Sequence, residues 1–547
     1  MITRPELSQA LSALRSRIFF TAYPEHPGAY PETEKGNGLA AFEQHLHKPF
    51  ADLLQPGTLR WAGEERSPWT MQPLGISYPI FDAEALLLRA RTARHSLSDL
   101  SAEKRAAILI DALENLRTRF FELAFATQHT SGQSFMMAFQ ASGPHTADRA
   151  LEALAAAYEA VTYFPAHVQW EKPLGKSSVK LEKTYKAVGR GIALSIGCST
   201  FPTWNSLPGI FANLMCGNPV IWKPHPGAVL PAAIAASCIQ QAFASAGSDA
   251  LVLQLAPDTT AEPLAFTLAQ HPLIQLIDYT GGSSFGHTLE SLPGKTVFTE
   301  KAGVNSVLIE SVNNLDEVLQ NLAFSVCLYS GQMCTAPQNF FVPAQGVWDG
   351  EKHIPADEVA TRLAAAIKAL AENPKAGAGT LATLQNERTL HRVANAPNLG
   401  AEVILPSAAV SQPDFPQALS ISPVLLKTSA DQEAIFSSEL FGPISIVVIT
   451  ADRDEALQLI TQLARKQGAI TCALYTTDVA FEKKALLHLE TAFVQVSVNL
   501  TGHIWVNQHA AFSDLHVTGG NPAGNATFSN PDFVNRRFVW LSHRKAM

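Results

Sequence analysis

Cys334 stands in the stretch Tyr329-Ser-Gly-Gln-Met-Cys-Thr-Ala-Pro, flanked by small and polar residues, whereas Cys327 and Cys472 lie inside apolar runs. A thiol in a glycine-containing turn has the access and the nearby backbone amides that a sulfur nucleophile needs. An inert structural cysteine is the plainer reading of the same residue. Upstream, Glu300 precedes the small-residue turn Ala302-Gly303-Val304; taken alone, such a glutamate is a solvated surface group. Pro219-Val-Ile-Trp-Lys-Pro ends an apolar run on Lys223, and Tyr279-Thr-Gly-Gly-Ser-Ser-Phe-Gly puts Gly281 and Gly282 where a strand turns into a helix. Free amides at a helix start attract phosphate, and glycines let it come close. Gly282-Ser-Ser-Phe-Gly also meets the Gly-x-Ser-x-Gly pattern of a nucleophile elbow. On that reading Ser284 would attack an ester, with an Asp and one of His503, His509 or His516 completing a triad. It leaves Glu300, Cys334 and Lys223 without a task. The C-terminal histidines lack the tight spacing of metal ligands, so they read as polar arm residues and no metal is expected.

The elements that must position these residues alternate. Short apolar runs (Ala193-Leu-Ser-Ile-Gly, Pro219-Val-Ile-Trp-Lys, Leu273-Ile-Gln-Leu-Ile-Asp-Tyr) are separated by Ala-rich segments of helix length, and the pattern resumes at Ser306, Phe340 and Ile444. Strands alternating with helices predict an α/β protein with parallel sheets, in two units joined near residue 300. Residues 1–80, rich in Pro and Gly, are expected to form an extended lead-in. Residues 81–300 then form the dinucleotide-binding domain, with an alternating, charged ribbon at 176–186. Residues 301–500 form the catalytic domain and 501–547 an arm. Helices are expected from Asp82 to about Leu123, with a start near Ser101, and over Thr146 to Val161.

The chain has 547 residues, 47% hydrophobic and 16% charged, with 40 Lys+Arg against 48 Asp+Glu for a net charge of −8. A mildly acidic chain without basic clusters argues against a nucleic-acid binder. Six cysteines without a CxxC pair fit neither a zinc ribbon nor a disulfide framework. With no signal-peptide pattern and no long apolar stretch, the expectation is a cytoplasmic protein that does not engage a membrane.

Cys334 follows Glu300 by 34 positions, and at that interval the two resemble the active-site pair of the aldehyde dehydrogenase superfamily. Lys223-Pro resembles that superfamily's strand-end motif for the adenosine ribose, and Gly281-Gly282 its pyrophosphate turn. Ser438-Glu-Leu-Phe-Gly-Pro resembles the loop in which Glu439 and Phe441 would touch the nicotinamide ribose. Cys198-Ser-Thr-Phe-Pro-Thr-Trp-Asn, the tail from Val506 to Ala523 and the long lead-in are similar to the phenylacetic acid degradation protein N family of ring-opening type. The resemblance implies two doubly wound α/β domains, a Rossmann-like one for the cofactor and a catalytic one. A small oligomerisation ribbon and an arm would bridge a homodimer or a dimer of dimers. It further implies oxidation of an aldehyde, a semialdehyde on a coenzyme A thioester, through a Cys334 thiohemiacetal and thioester that water activated by Glu300 releases.

Two departures bear on activity. Counting back from Lys223 without gaps puts Thr200 where the superfamily has the asparagine that donates to the oxyanion; Asn205 takes that role only if the segment is displaced. If no donor remains, the chain would bind nucleotide without turnover. The second departure follows Lys223, where Pro226 replaces a common glutamate and His225 lies beside it. Without a repelling carboxylate, Lys223 and His225 would accept a 2′-phosphate, so NADP is the expected cofactor, with NAD as the second choice.

Overall fold

A computed structural model describes residues 4–502, 504, 509–525 and 531–547. Its centre is two sheets that follow one another along the chain. The first contains β1 (Ile192–Ile196), β2 (Val220–Lys223), β3 (Leu253–Leu255), β4 (Ile274–Thr280) and β5 (Thr296–Glu300), all parallel, in the order β3-β2-β1-β4-β5. The second contains β6 (Ser306–Ile309), β7 (Asn339–Pro343), β8 (Glu402–Leu405), β9 (Val424–Ser429), β10 (Ile444–Thr450), β11 (Cys472–Tyr475) and β12 (Val496–Val498), in the order β8-β9-β10-β7-β6-β11-β12. Only its edge pair β8–β9 is antiparallel.

Alternation of side chains along each strand builds cores on both faces. Ile192, Leu194, Ile196 and Ile221 point into one core with Leu86, Leu87 and Ala90, while Ala193, Val220 and Trp222 point into another with the Ala-rich helices. In the second sheet Val307, Phe340 and Val447 face one side, and Leu308, Phe341 and Val448 the other. Each sheet is therefore covered twice, the doubly wound arrangement expected.

Helix starts follow their capping chemistry. Asp82 accepts from Ala85 N–H at 2.9 Å to begin Ala83–Asp99, and Ser101 accepts from Lys104 N–H at 3.2 Å to begin Ala102–Arg117.

Two expectations need correction. The lead-in carries the helices Pro5–Ser16 and Glu32–His45 and a strand Thr58–Ala62 paired with Tyr78–Phe81. Pro24, Pro27 and Gly28, which suggested an extended chain, fall between those helices. The second helix shows little apolar period because only Gly38 and Phe42 are buried, Gly38 so close to Phe121 that a side chain would collide. The tail beyond residue 500 is not a single arm. Phe538–Ala546 does extend the hairpin His167–Leu174/Ser177–Gly189 as a third antiparallel strand. Residues 509–525, by contrast, fold back between the two sheets: Lys301 N–H donates to the Ala523 carbonyl at 2.6 Å, and Thr299 N–H to Asn525 Oδ1 at 3.1 Å. Among the described residues no helix is long and apolar enough to cross a membrane.

Candidate active site

Glu300 is the last residue of β5, at the carboxyl end of a parallel sheet, where α/β folds place ligand sites. Cys334 lies in the loop between the helix Leu315–Cys327 and β7. That loop is held in an unusual shape: Tyr329, Ser330 and Gly331 all have left-handed φ, at 52°, 50° and 62°. Left-handed backbone at non-glycine residues persists only where surrounding contacts fix it. Here Tyr329 Oη donates to the Ser131 carbonyl at 2.5 Å and Ser330 Oγ to the Leu381 carbonyl at 2.7 Å. Gly331 passes so close to the Gly442 carbonyl that a Cβ would lie 2.5 Å from its oxygen.

A residue to which the sequence assigned no role completes the support. Asn305 is buried; its Nδ2 donates to the carbonyls of Cys334 and Ala336 at 2.7 and 3.0 Å, and its Oδ1 accepts from Ile470 and Thr471 N–H, both at 3.0 Å. One amide thus ties the cysteine loop to the sheet.

Cys334 opens into a cavity of about 300 Å³ whose wall includes Met137, Phe201, Trp204, Asn205, Met333 and His516. Glu300, Cys334 and His516 bring their polar atoms within 4.8 Å of one another. Asn205 Nδ2 donates to Glu300 Oε2 at 3.3 Å, and His516 Nε2 lies 3.1 Å from the same oxygen. Burial, the charge of Glu300 and a hydrogen bond to it push the Cys334 thiol well above its ordinary range. Burial would raise the Glu300 carboxyl as well, but His516, Cys334 and Asn205 outweigh it and hold the group below its ordinary range. The resting pair is a neutral thiol facing a carboxylate that can take its proton.

Thr200 is not part of this group. Its carbonyl accepts from Gln133 Nε2 at 2.7 Å, and its hydroxyl meets Cys198 Sγ at 3.8 Å, which in turn donates to Asn205 Oδ1 at 3.5 Å. Asn205, the alternative to Thr200, is the one of the two that reaches Glu300.

The candidate cofactor residues line the same edge of the first sheet. Lys223 ends β2 and is buried, with Nζ 2.8 Å from Asp258 Oδ1. His225 is exposed and turns its Nδ1 back to accept from Gly227 N–H at 3.0 Å. Gly281 N–H donates to the Glu300 carbonyl at 3.0 Å, joining the glycine turn to the carboxylate strand, and a Cβ on Gly281 would collide with Tyr279. Gly282 caps the helix Ser283–Glu290. In the facing loop, burial outweighs Arg392 and the Gly303 amide and pushes Glu439 up to about 7; the Phe441 carbonyl accepts from Arg392. Glu439 and Phe441 share a small cleft with Gly303, Met333 and Gln338.

Ser284 lies in the first turn of Ser283–Glu290. Of its possible partners, His516 is against Glu300 and His509 Nδ1 is 3.2 Å from His516 Nδ1. His503 lies outside the described residues.

The aldehyde dehydrogenase family model matches residues 80–523, well over half of the chain. The chain belongs to the aldehyde dehydrogenase family. It is 40% identical, over 99% of its length and 97% of the other's, to an NAD-dependent aldehyde dehydrogenase from Burkholderia multivorans, with a TM-score of 0.96. Against 2-hydroxymuconic semialdehyde dehydrogenase of Pseudomonas sp. (strain CF600) the identity is 26% over 54% of this chain, and the chain covers 58% of that enzyme. A 1-pyrroline-5-carboxylate dehydrogenase shares the fold at 17% identity and a TM-score of 0.77, over 97% of this chain and 99% of that one.

Proposed function

We propose that the chain oxidises an aldehyde to a carboxylic acid, with NAD preferred over NADP. The observation that carries this reading is Cys334 and Glu300 meeting at one cavity beside Asn205. Glu300 takes the thiol proton as the Cys334 sulfur bonds to the aldehyde carbon, and Asn205 Nδ2, with backbone amide of the cysteine loop, stabilises the oxyanion. Bound NAD supplies the hydride acceptor. A water deprotonated by Glu300 then attacks the Cys334 thioester, and the acid leaves. Lys223, Gly281 and Gly282 would hold the adenosine and pyrophosphate side of the cofactor, Glu439 and Phe441 the nicotinamide side.

The preference for NAD reverses the expectation drawn from Pro226. Asp258 supplies from the loop after β3 the carboxylate missing after Lys223, already 2.8 Å from its ammonium. A 2′-phosphate there would meet a negative charge, whereas ribose hydroxyls could donate to it. The Burkholderia multivorans relative, described as NAD-dependent, points the same way.

The aldehyde's identity rests on sequence resemblance: a semialdehyde on a coenzyme A thioester formed by ring opening in phenylacetate degradation. An apolar wall of Met137, Phe201, Trp204 and Met333 suits its hydrocarbon part. Free cysteines at all six positions suit the reducing cytoplasm, and the outer strand His167–Leu174 of the ribbon offers an edge for a dimer or pair of dimers. Turnover with NAD and with NADP across free and thioester-linked aldehydes tests the reading. Oxidation of a coenzyme A-linked semialdehyde with a higher kcat/KM for NAD supports it; ester hydrolysis blocked by a serine-directed phosphonate, without aldehyde oxidation, would replace it with the Ser284 hydrolase.

A further inference from the structure

The proposed reaction must dispose of protons in a closed place. Converting one aldehyde and one water to a carboxylate, with a hydride passed to the cofactor, frees two protons. The first leaves the Cys334 thiol as sulfur bonds to carbon. The second leaves the water whose oxygen bonds to the thioester carbon while the C–S bond breaks; the acid's own proton returns to the departing sulfur. Both protons arrive on Glu300, which is 7% exposed.

Leading away from Glu300 is a file of imidazoles. His516, 2% exposed, lies with Nε2 3.1 Å from Glu300 Oε2. Its other nitrogen, Nδ1, is 3.2 Å from His509 Nδ1. His509 is half-buried and shares the cavity wall with Phe19 and Thr21 of the N-terminal segment. The arrangement is braced. His516 packs edge-on against Trp204 with ring centroids 4.8 Å apart, and buried Arg149 donates to the His509 carbonyl at 3.1 Å. Trp204 Nε1 in turn donates to His145 Nδ1 at 3.4 Å. The titratable and charged groups facing the pair are Glu300, Cys334, His145, Arg149 and, on the same cavity wall, Glu25. Burial, with His516, Arg149 and His145 nearby, holds His509 far below its ordinary range.

We propose that His516 and His509 form a proton relay that drains Glu300 toward the cavity mouth once in each half-reaction. With His516 as its Nδ1–H tautomer, Glu300 gives its proton to the unprotonated Nε2 as the Nδ1 proton moves to His509 Nδ1 and His509 releases one from Nε2; both rings then turn over to regain their starting tautomers before the second half-reaction. Both are positioning residues acting through Glu300. The relay rests on the reading of Cys334 and Glu300 given above.

Hydrolysis of p-nitrophenyl acetate by the cofactor-free protein isolates the second half-reaction, because the ester acylates Cys334 directly and deacylation needs the same water. In rapid mixing, the wild type should show a burst of one p-nitrophenol per Cys334 followed by steady turnover. His516→Phe should keep the burst and lose roughly 100-fold in the steady phase, within the range of general acid–base effects. His509→Phe, at a half-buried position on the cavity wall, should lose about tenfold in the same phase. Added imidazole should restore His516→Gly in proportion to its unprotonated fraction, a pH signature that packing alone would not produce. Steady rates within about threefold of wild type in both Phe variants, or a His516→Gly variant deaf to imidazole, would overturn the relay and leave the Cys334–Glu300 reading standing. No burst and no aldehyde oxidation in the wild type would overturn that reading and the relay with it.

Discussion

Asp278 and Glu300 sit on adjacent strands, β4 and β5, with side chains 13% and 8% exposed. Asp278 is gripped by a bidentate Arg537, at 2.6 and 2.8 Å, and by Asn213 Nδ2 at 2.8 Å. Each of those donors keeps its proton at any ordinary pH, so Asp278 is a fixed charge that fastens the C-terminal segment, through fully buried Arg537, to the sheet. Glu300 has longer contacts, 3.1 Å to His516 and 3.3 Å to Asn205, and a thiol for a neighbour. Two of its partners can exchange protons. Short, saturated, non-titrating contacts mark a carboxylate that holds structure; longer contacts to groups that give and take protons mark one that does chemistry.

The contrast can be broken at either end. Cys334→Ala should abolish aldehyde oxidation, by more than about 10⁴-fold, with an unchanged urea midpoint; residual turnover near wild type would remove the thiol from the mechanism. Arg537→Met leaves Asp278 buried without its counter-ion and should cost about 3–5 kcal/mol of stability, read from urea unfolding, while the kcat of the folded fraction stays near wild type. A stability loss of the same size in Glu300→Gln would blur the distinction between the two carboxylates. Asn205→Ala should lower kcat by about 10²–10³-fold, against less than about threefold for Thr200→Val; the reverse ranking would return the oxyanion role to Thr200. Asp258→Ser should shift the ratio of kcat/KM for NAD and NADP by about tenfold toward NADP. The smallest effect concerns pH: removing the negative charge in Glu300→Gln should move the pH midpoint of Cys334 alkylation by iodoacetamide downward, because a neighbouring anion is part of what holds the thiol protonated.

What could be read in advance follows from how local each signal is. Strand-helix alternation, the helix start near Ser101, the glycine turn at Gly281-Gly282 and the Cys334 loop are all written in contiguous residues, and the structure carries them. An ungapped count across a turn and a helix pointed to Thr200, whereas the residue that meets Glu300 is Asn205. Asp258 joins Lys223 from the loop after the next strand, so no motif around Lys223 could show it. Asn305 and His516 act over distances of 29 and 216 positions in the chain, one through a buried amide and the other from a tail that looked like a polar arm. The lead-in helices escaped notice because each hides only a narrow stripe.

The most direct test of the account is the state of Cys334 in Glu300→Gln after mixing with NAD and a good aldehyde substrate, followed by rapid acid quench and peptide mass measurement. The account expects the acyl group of the substrate on Cys334 at close to one per chain, formed with a single burst of NADH and released slowly. An unmodified Cys334 during continued turnover, or the acyl group found on another residue, would contradict it.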